Sequence, residues 1–231
     1  MRHTFTISLV ALASFLLIFA PKILMKFDIA IINNAFLNGF IKYQIFALLI
    51  ASVVLLITLK YTPESKVLLS FGNLDTLANK EQWMGINGTT SWKTNGLQLL
   101  FFISLATGIF MFLAVKYTNN LYNFQLYFIP YILLFAFFNA LSEEIIYRVA
   151  INGNLMQYIP KFTVLLTSAI LFGLPHYQGY PNGVAGVLMA GVLGYVLSKA
   201  TYETQGIGLA FIIHFIQDII IFTALLMMNI K

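Results

Sequence analysis

The sequence predicts an all-α fold, a polytopic bundle of about seven to eight transmembrane helices, on three observations. Hydrophobic residues make up 60% of the chain and charged residues only 9%, with mean hydropathy +0.86, outside the range of water-soluble domains. Apolar runs near the ~20 residues needed to cross the hydrocarbon core recur along the 231 residues. The polar residues gather between those runs. We read a single membrane domain: two N-terminal helices over 1–60, a polar, tryptophan-bearing loop over 61–96, and a core over 97–231.

The first run, 5–20, follows Met-Arg-His and precedes Pro21; no small-x-small cleavage signature follows it, so we expect an uncleaved helix. A connector with Lys22, Lys26 and Asp28 leads to a second span, 43–59, closed by Lys60. Neither contains an ionisable residue in its apolar stretch, so packing and anchoring are their expected roles. Between 62 and 96 the composition turns polar, and Trp83 and Trp92 suit the headgroup zone, where an indole sets an apolar body against one donor. A third span covers 97–115 and a fourth 122–140, leading into Ser142-Glu143-Glu144-Ile145-Ile146-Tyr147-Arg148. With no turn residue before Glu143, this motif should be helical, at the end of the span or in a short helix capped by Asn139 or Ser142. A fifth segment, 162–174, a Pro/Gly-rich connector, 175–183, and two more segments, 184–197 and 207–228, complete the chain. Gly183, Gly186, Gly191 and Gly194 predict close helix packing around the sixth segment. Lysines fall on both expected faces, so orientation is not determined by charge.

Composition also excludes chemistry. The net charge of +5 is spread over residues flanking the apolar runs, with no dense basic cluster for nucleic acid. Zero cysteines removes disulfides, thiol catalysis and thiolate metal sites. There is no His-Glu-x-x-His and no Gly-x-Ser-x-Gly.

The second half holds few ionisable residues in apolar surroundings, and they fall in one-turn pairs: Glu144 with Arg148, Glu143 with Tyr147, Phe172 with His176, His214 with Asp218. At 3.6 residues per turn each pair shares a helix face. A carboxylate at the bilayer centre costs roughly 2.5–3.5 kcal/mol on insertion scales, so each needs a partner or a wet cavity. An intrahelical ion pair with Arg148 accounts for Glu144; Glu143 is left without a partner. Two glutamates, two histidines and an aspartate permit several chemistries. A carboxylate beside a histidine takes a proton from water for attack on a carbonyl, with further donors to the oxyanion. Glu143, His176 and His214 also match the ligand set of a hydrolytic zinc site. A proton-coupled transporter uses the same residue types, although no internal repeat with paired broken helices is visible. A non-catalytic immunity or chaperone scaffold is the third reading, in which these side chains are dispensable.

Taken in order, Glu143-Glu144-x-x-x-Arg148, Phe172-x-x-x-His176 and His214-x-x-x-Asp218 resemble the CAAX protease and bacteriocin-processing family, also called the Abi family, over about 124–222. The loop with the tryptophans is similar to that of the family. The resemblance implies a hydrolase embedded in a cell membrane, expected to be bacterial, with a conical intramembrane cavity. Its substrate would be a membrane-associated protein or peptide, prenylated or otherwise lipid-anchored. It implies that Glu143 activates water with His176, that His214 and Asp218 line the oxyanion side, and that Glu144 and Arg148, with Tyr147 and Phe172, support them. Family members have been described as zinc metalloproteases and as metal-free glutamate proteases, so the implied cofactor is Zn2+ or none. The last position of the third motif is often Asn in the family. Here it is Asp218, which as a carboxylate only accepts hydrogen bonds.

Overall fold

A computed structural model describes residues 2–24, 26–27, 29–119 and 124–229. Asp28 of the first connector and Tyr122, the expected start of the fourth span, lie outside the described residues. Among the described residues eight α-helices form the bundle: α1 (Arg2–Leu24), α2 (Ala35–Tyr61), α3 (Trp92–Tyr117), α4 (Ile129–Glu144), α5 (Ala150–Leu155), α6 (Lys161–Gly173), α7 (Gly183–Thr204) and α8 (Gly208–Asn229). Six helical stretches among the described residues are long and apolar enough to cross a membrane. The fifth apolar segment is different: α6 has 13 residues and passes into a 3-10 turn, Leu174–Gln178. Pro175 lacks the N–H that would continue the α-helical ladder.

Local sequence sets several boundaries. Asn34 caps α2, its side chain accepting from Leu37 N at 3.0 Å. Gln205 closes α7 in the left-handed region, at φ 58°. The third span begins at Trp92 rather than 97, because the first-turn N–H groups of Trp92 and Lys93 donate to the Thr76 and Leu74 carbonyl oxygens at 2.9 and 2.8 Å. α7 continues beyond the expected end of the sixth segment at 197 to Thr204, and its last turns pack against the loop before α3, with Lys199 Nζ donating to Asn79 O at 2.9 Å.

That loop is ordered by the protein rather than by the interface. Trp92 is 0% exposed and donates from Nε1 to Glu203 Oε2 at 2.9 Å, whereas Trp83 is 57% exposed. The headgroup position expected for both tryptophans therefore does not describe Trp92. Glu203 Oε2 also accepts from Asn79 N at 2.9 Å, and Oε1 accepts from Lys199 Nζ at 2.6 Å and from Lys161. Lys199 and Glu203 form a buried ion pair at the end of α7.

The helices that carry the three motifs pack on one another. α4 lies against α8 and α2, α6 against α7, and α1 against α2 and α5. The glycine pattern of the sixth segment acts as expected. A Cβ on Gly194 would sit 2.9 Å from the Phe172 ring, and one on Gly186 would collide with the carbonyl oxygens of Pro181 and His176. These close approaches seat the end of α6, with Phe172 and His176, on α7.

Candidate active site

The first motif sits neither at a span end nor in a capped short helix. The helical stretch from Leu126 to Leu155 is continuous, and immediately after Glu144 it widens into a π-helical turn, Ile145–Val149. Such a turn shifts the side-chain register and releases backbone carbonyls from the i→i−4 ladder. One of them, Tyr147 O, accepts from Ser168 Oγ on α6 at 2.9 Å. Ser142 donates back to Phe138 O at 2.7 Å, and Asn139 donates across to α8; neither caps a helix.

Glu144 and Arg148 form the expected ion pair, Oε2 to Nε 3.1 Å, both side chains fully buried. Glu144 does more than brace the arginine. Its other oxygen, Oε1, accepts from His214 Nδ1 on α8 at 2.8 Å. That bond turns His214 Nε2 toward two further carboxyls, 3.5 Å from Glu143 Oε2 and 3.6 Å from Asp218 Oδ2. Glu143 is 7% exposed and His214 2% exposed. Three carboxyls thus surround one imidazole, with Glu143 and Asp218 at ion-pair distance from Nε2. Asp218 Oδ2 also accepts from Asn139 Nδ2 at 3.1 Å.

The second motif places the Phe172 ring among these groups. Its centroid lies 4.9 Å from that of His176, 5.5 Å from that of His214 and 5.3 Å from that of Tyr147, the last two edge-on. The Arg148 guanidinium carbon sits 4.3 Å from its centroid, a cation–π contact in a dry site. His176 Nδ1 is 2.9 Å from Phe172 O. A carbonyl can only accept, so Nδ1 carries the hydrogen and Nε2 keeps a free lone pair. Desolvation of the half-buried ring holds His176 below the ordinary histidine value of 6.5, against the pull of Glu143.

All four proposed catalytic positions, Glu143, His176, His214 and Asp218, therefore meet around Phe172 and the widened turn. Tyr147 points its hydroxyl at Ser14 Oγ on α1, 3.0 Å away. From α2, Tyr43 lies within electrostatic reach of Glu143, Tyr147 and Asp218. The first two helices contribute polar groups to the site as well as packing, which uncharged residues within apolar runs could not signal. Asn139, named only as a candidate cap, is likewise a partner of Asp218.

The side chains offered as zinc ligands already face other groups in this arrangement. His214 Nδ1 is engaged with Glu144, its Nε2 faces Glu143 and Asp218, and His176 Nδ1 donates to Phe172 O. Among the described residues no three His, Asp or Glu side chains converge as metal ligands would.

The model of a family described as Type II CAAX prenyl endopeptidase Rce1-like matches residues 125–220, which contain all three motifs and leave residues 1–124 outside. No curated protein and no solved structure matches the chain.

Proposed function

We propose that this chain, a member of the CAAX protease and bacteriocin-processing family through its residues 125–220, hydrolyses a peptide bond near the lipid-anchored or membrane-embedded part of its substrate. Its six long apolar helices and the family-model match over residues 125–220 support an integral membrane protein of the CAAX endopeptidase type. The multi-pass home we propose for it is a bacterial cell membrane, and the substrate a prenylated or otherwise lipid-anchored protein or peptide. The observation that carries the mechanism is the buried junction at His214 Nε2, within 3.6 Å of both Glu143 and Asp218 and oriented by Glu144.

In the reaction, Glu143 accepts a proton from a water that His176 Nε2 helps to orient. The water oxygen bonds to the scissile carbonyl carbon, and the carbonyl π pair moves onto oxygen. Collapse of that tetrahedral species re-forms the carbonyl and breaks the carbon–nitrogen bond, and the leaving nitrogen takes the proton from Glu143. His214, held as a donor by the surrounding carboxyls, faces the developing negative charge. Glu144 and Arg148 keep His214 and the π turn in register.

The test is purified wild type against Glu143→Gln, each with and without chelator. The substrates are a farnesylated peptide ending in the CAAX pattern and a mixture of membrane proteins. Cleavage by wild type that is lost in Glu143→Gln and insensitive to chelator supports glutamate/histidine chemistry. Loss on chelation with recovery on added zinc would replace it with metal-assisted hydrolysis. Undiminished cleavage by Glu143→Gln rejects the assignment of the base.

A further inference from the structure

One donor beside the reacting centre has no role in this scheme. Asn139 lies four residues before Glu143 on α4, so the two side chains share a helix face. Its Nδ2 donates one hydrogen to Asp218 Oδ2 at 3.1 Å. The same nitrogen carries a second hydrogen. Asp218 Oδ2 is in turn 3.6 Å from His214 Nε2, which is 3.5 Å from Glu143 Oε2. Asn139, Asp218, His214 and Glu143 are therefore consecutive neighbours, and Asn139 is half-buried.

An oxyanion needs donors already aimed at it. A carboxylate at 218 supplies none; it only accepts. The adjacent amide supplies two N–H groups, and Asp218 fixes the direction of one of them, which also fixes the other because the amide is planar. We infer that Asn139 is a catalytic residue of this chain, donating to the oxyanion, and that Asp218 is the positioning residue that aims it. Amide and carboxylate divide the work across two helices: α4 provides the donor and α8 its anchor. The inference rests on the peptidase reading above. A simpler role for the same bond is a polar tie between α4 and α8, of the kind that holds helices together in lipid.

The test separates these. On the farnesylated peptide, Asn139→Ala is expected to lower kcat about 100- to 1,000-fold with KM unchanged, the size of effect seen when one oxyanion donor is removed. The double variant Asn139→Ala, Asp218→Asn is expected to recover at least about tenfold of that loss, because an amide at 218 can donate from the other side. A mere tie predicts no recovery, since the bond stays broken. Should the alanine variant fail to fold, Asn139→Leu and its double with Asp218→Asn carry the same comparison with a filled volume. Wild-type kcat in Asn139→Ala beside an inactive Glu143→Gln overturns the inference and leaves the peptidase reading standing. Failure of the double variant to recover also overturns it. Equal rates in wild type and Glu143→Gln overturn both together.

Discussion

Glu144 on α4 accepts a hydrogen bond from His214 on α8 at 2.8 Å while its second oxygen pairs with Arg148 at 3.1 Å. One carboxylate therefore joins the ion pair within the motif helix to the imidazole of the proposed reacting centre. Sequence spacing gives the arginine contact, four residues along the same helix. The histidine contact spans 70 residues and depends on how α4 and α8 dock.

The first prediction concerns that carboxylate. Replacing Glu144 by Ala leaves a fully buried guanidinium without its partner, and such losses cost roughly 3–5 kcal/mol. Thermal unfolding in detergent should show a large fall for Glu144→Ala, and a much smaller one for the paired change Glu144→Leu, Arg148→Met. A double change as damaging as the single would mean that Arg148 does not depend on Glu144.

Tyr147 and Ser14 offer a milder test. The 3.0 Å bond between their hydroxyls ties α1 to the π turn. Tyr147→Phe should lower stability by about 0.5–1.5 kcal/mol, the net value of one hydrogen bond, and leave kcat within severalfold of wild type. A collapse of activity in a stably folded Tyr147→Phe protein would assign the phenol to the chemistry instead.

Gly186 links helix packing to the position of His176. A Cβ there would sit 2.6 Å from the carbonyl oxygen of His176, so Gly186→Ala must push the connector off α7. Misplacement of a catalytic group by about 1 Å can cost on the order of 100-fold in rate. Peptidase assays on Gly186→Ala should show such a loss together with a lower unfolding temperature, whereas Gly108→Ala on α3, where a Cβ meets nothing within 4 Å, should change neither.

The pH dependence follows from His176. Its imidazole is held below the ordinary value of 6.5, so the neutral form, which the water-orienting role requires, persists to lower pH than in a solvated histidine. Activity should be lost as pH falls, with the His176 limb of the kcat/KM profile below about 6.5. If that limb lies at or above 6.5 and vanishes in His176→Gln, the ring is not desolvated as described.

Finally, Glu203 should govern the ordered loop. It accepts from Trp92, Asn79, Lys199 and Lys161, so Glu203→Ala leaves Lys199 buried without its closest anion. Limited proteolysis between residues 72 and 91 should become markedly faster in that variant. Unchanged cleavage would show that the loop is held by apolar contacts alone.

The sequence by itself determined the class of the fold and the identity of the polar cluster. Apolar runs of membrane length can satisfy their backbone only as helices in lipid, and charges within such runs are too costly to be incidental. Spacing of four residues placed Glu144 with Arg148 and His214 with Asp218 on shared faces, because helical periodicity is a local property. The tertiary structure decided everything that depends on which helix meets which. Docking of α4 on α8 gave Glu144 its second partner and set Asn139 on Asp218. The π turn, a local event with no turn residue to mark it, carried the motif into the middle of a long helix. Ser14 and Tyr43 reached the site from helices that carry no motif, and Trp92 was withdrawn from the interface by a glutamate 111 residues away. Uncharged side chains in apolar runs leave no imprint on hydropathy or spacing, so their partners emerge only when the helices pack.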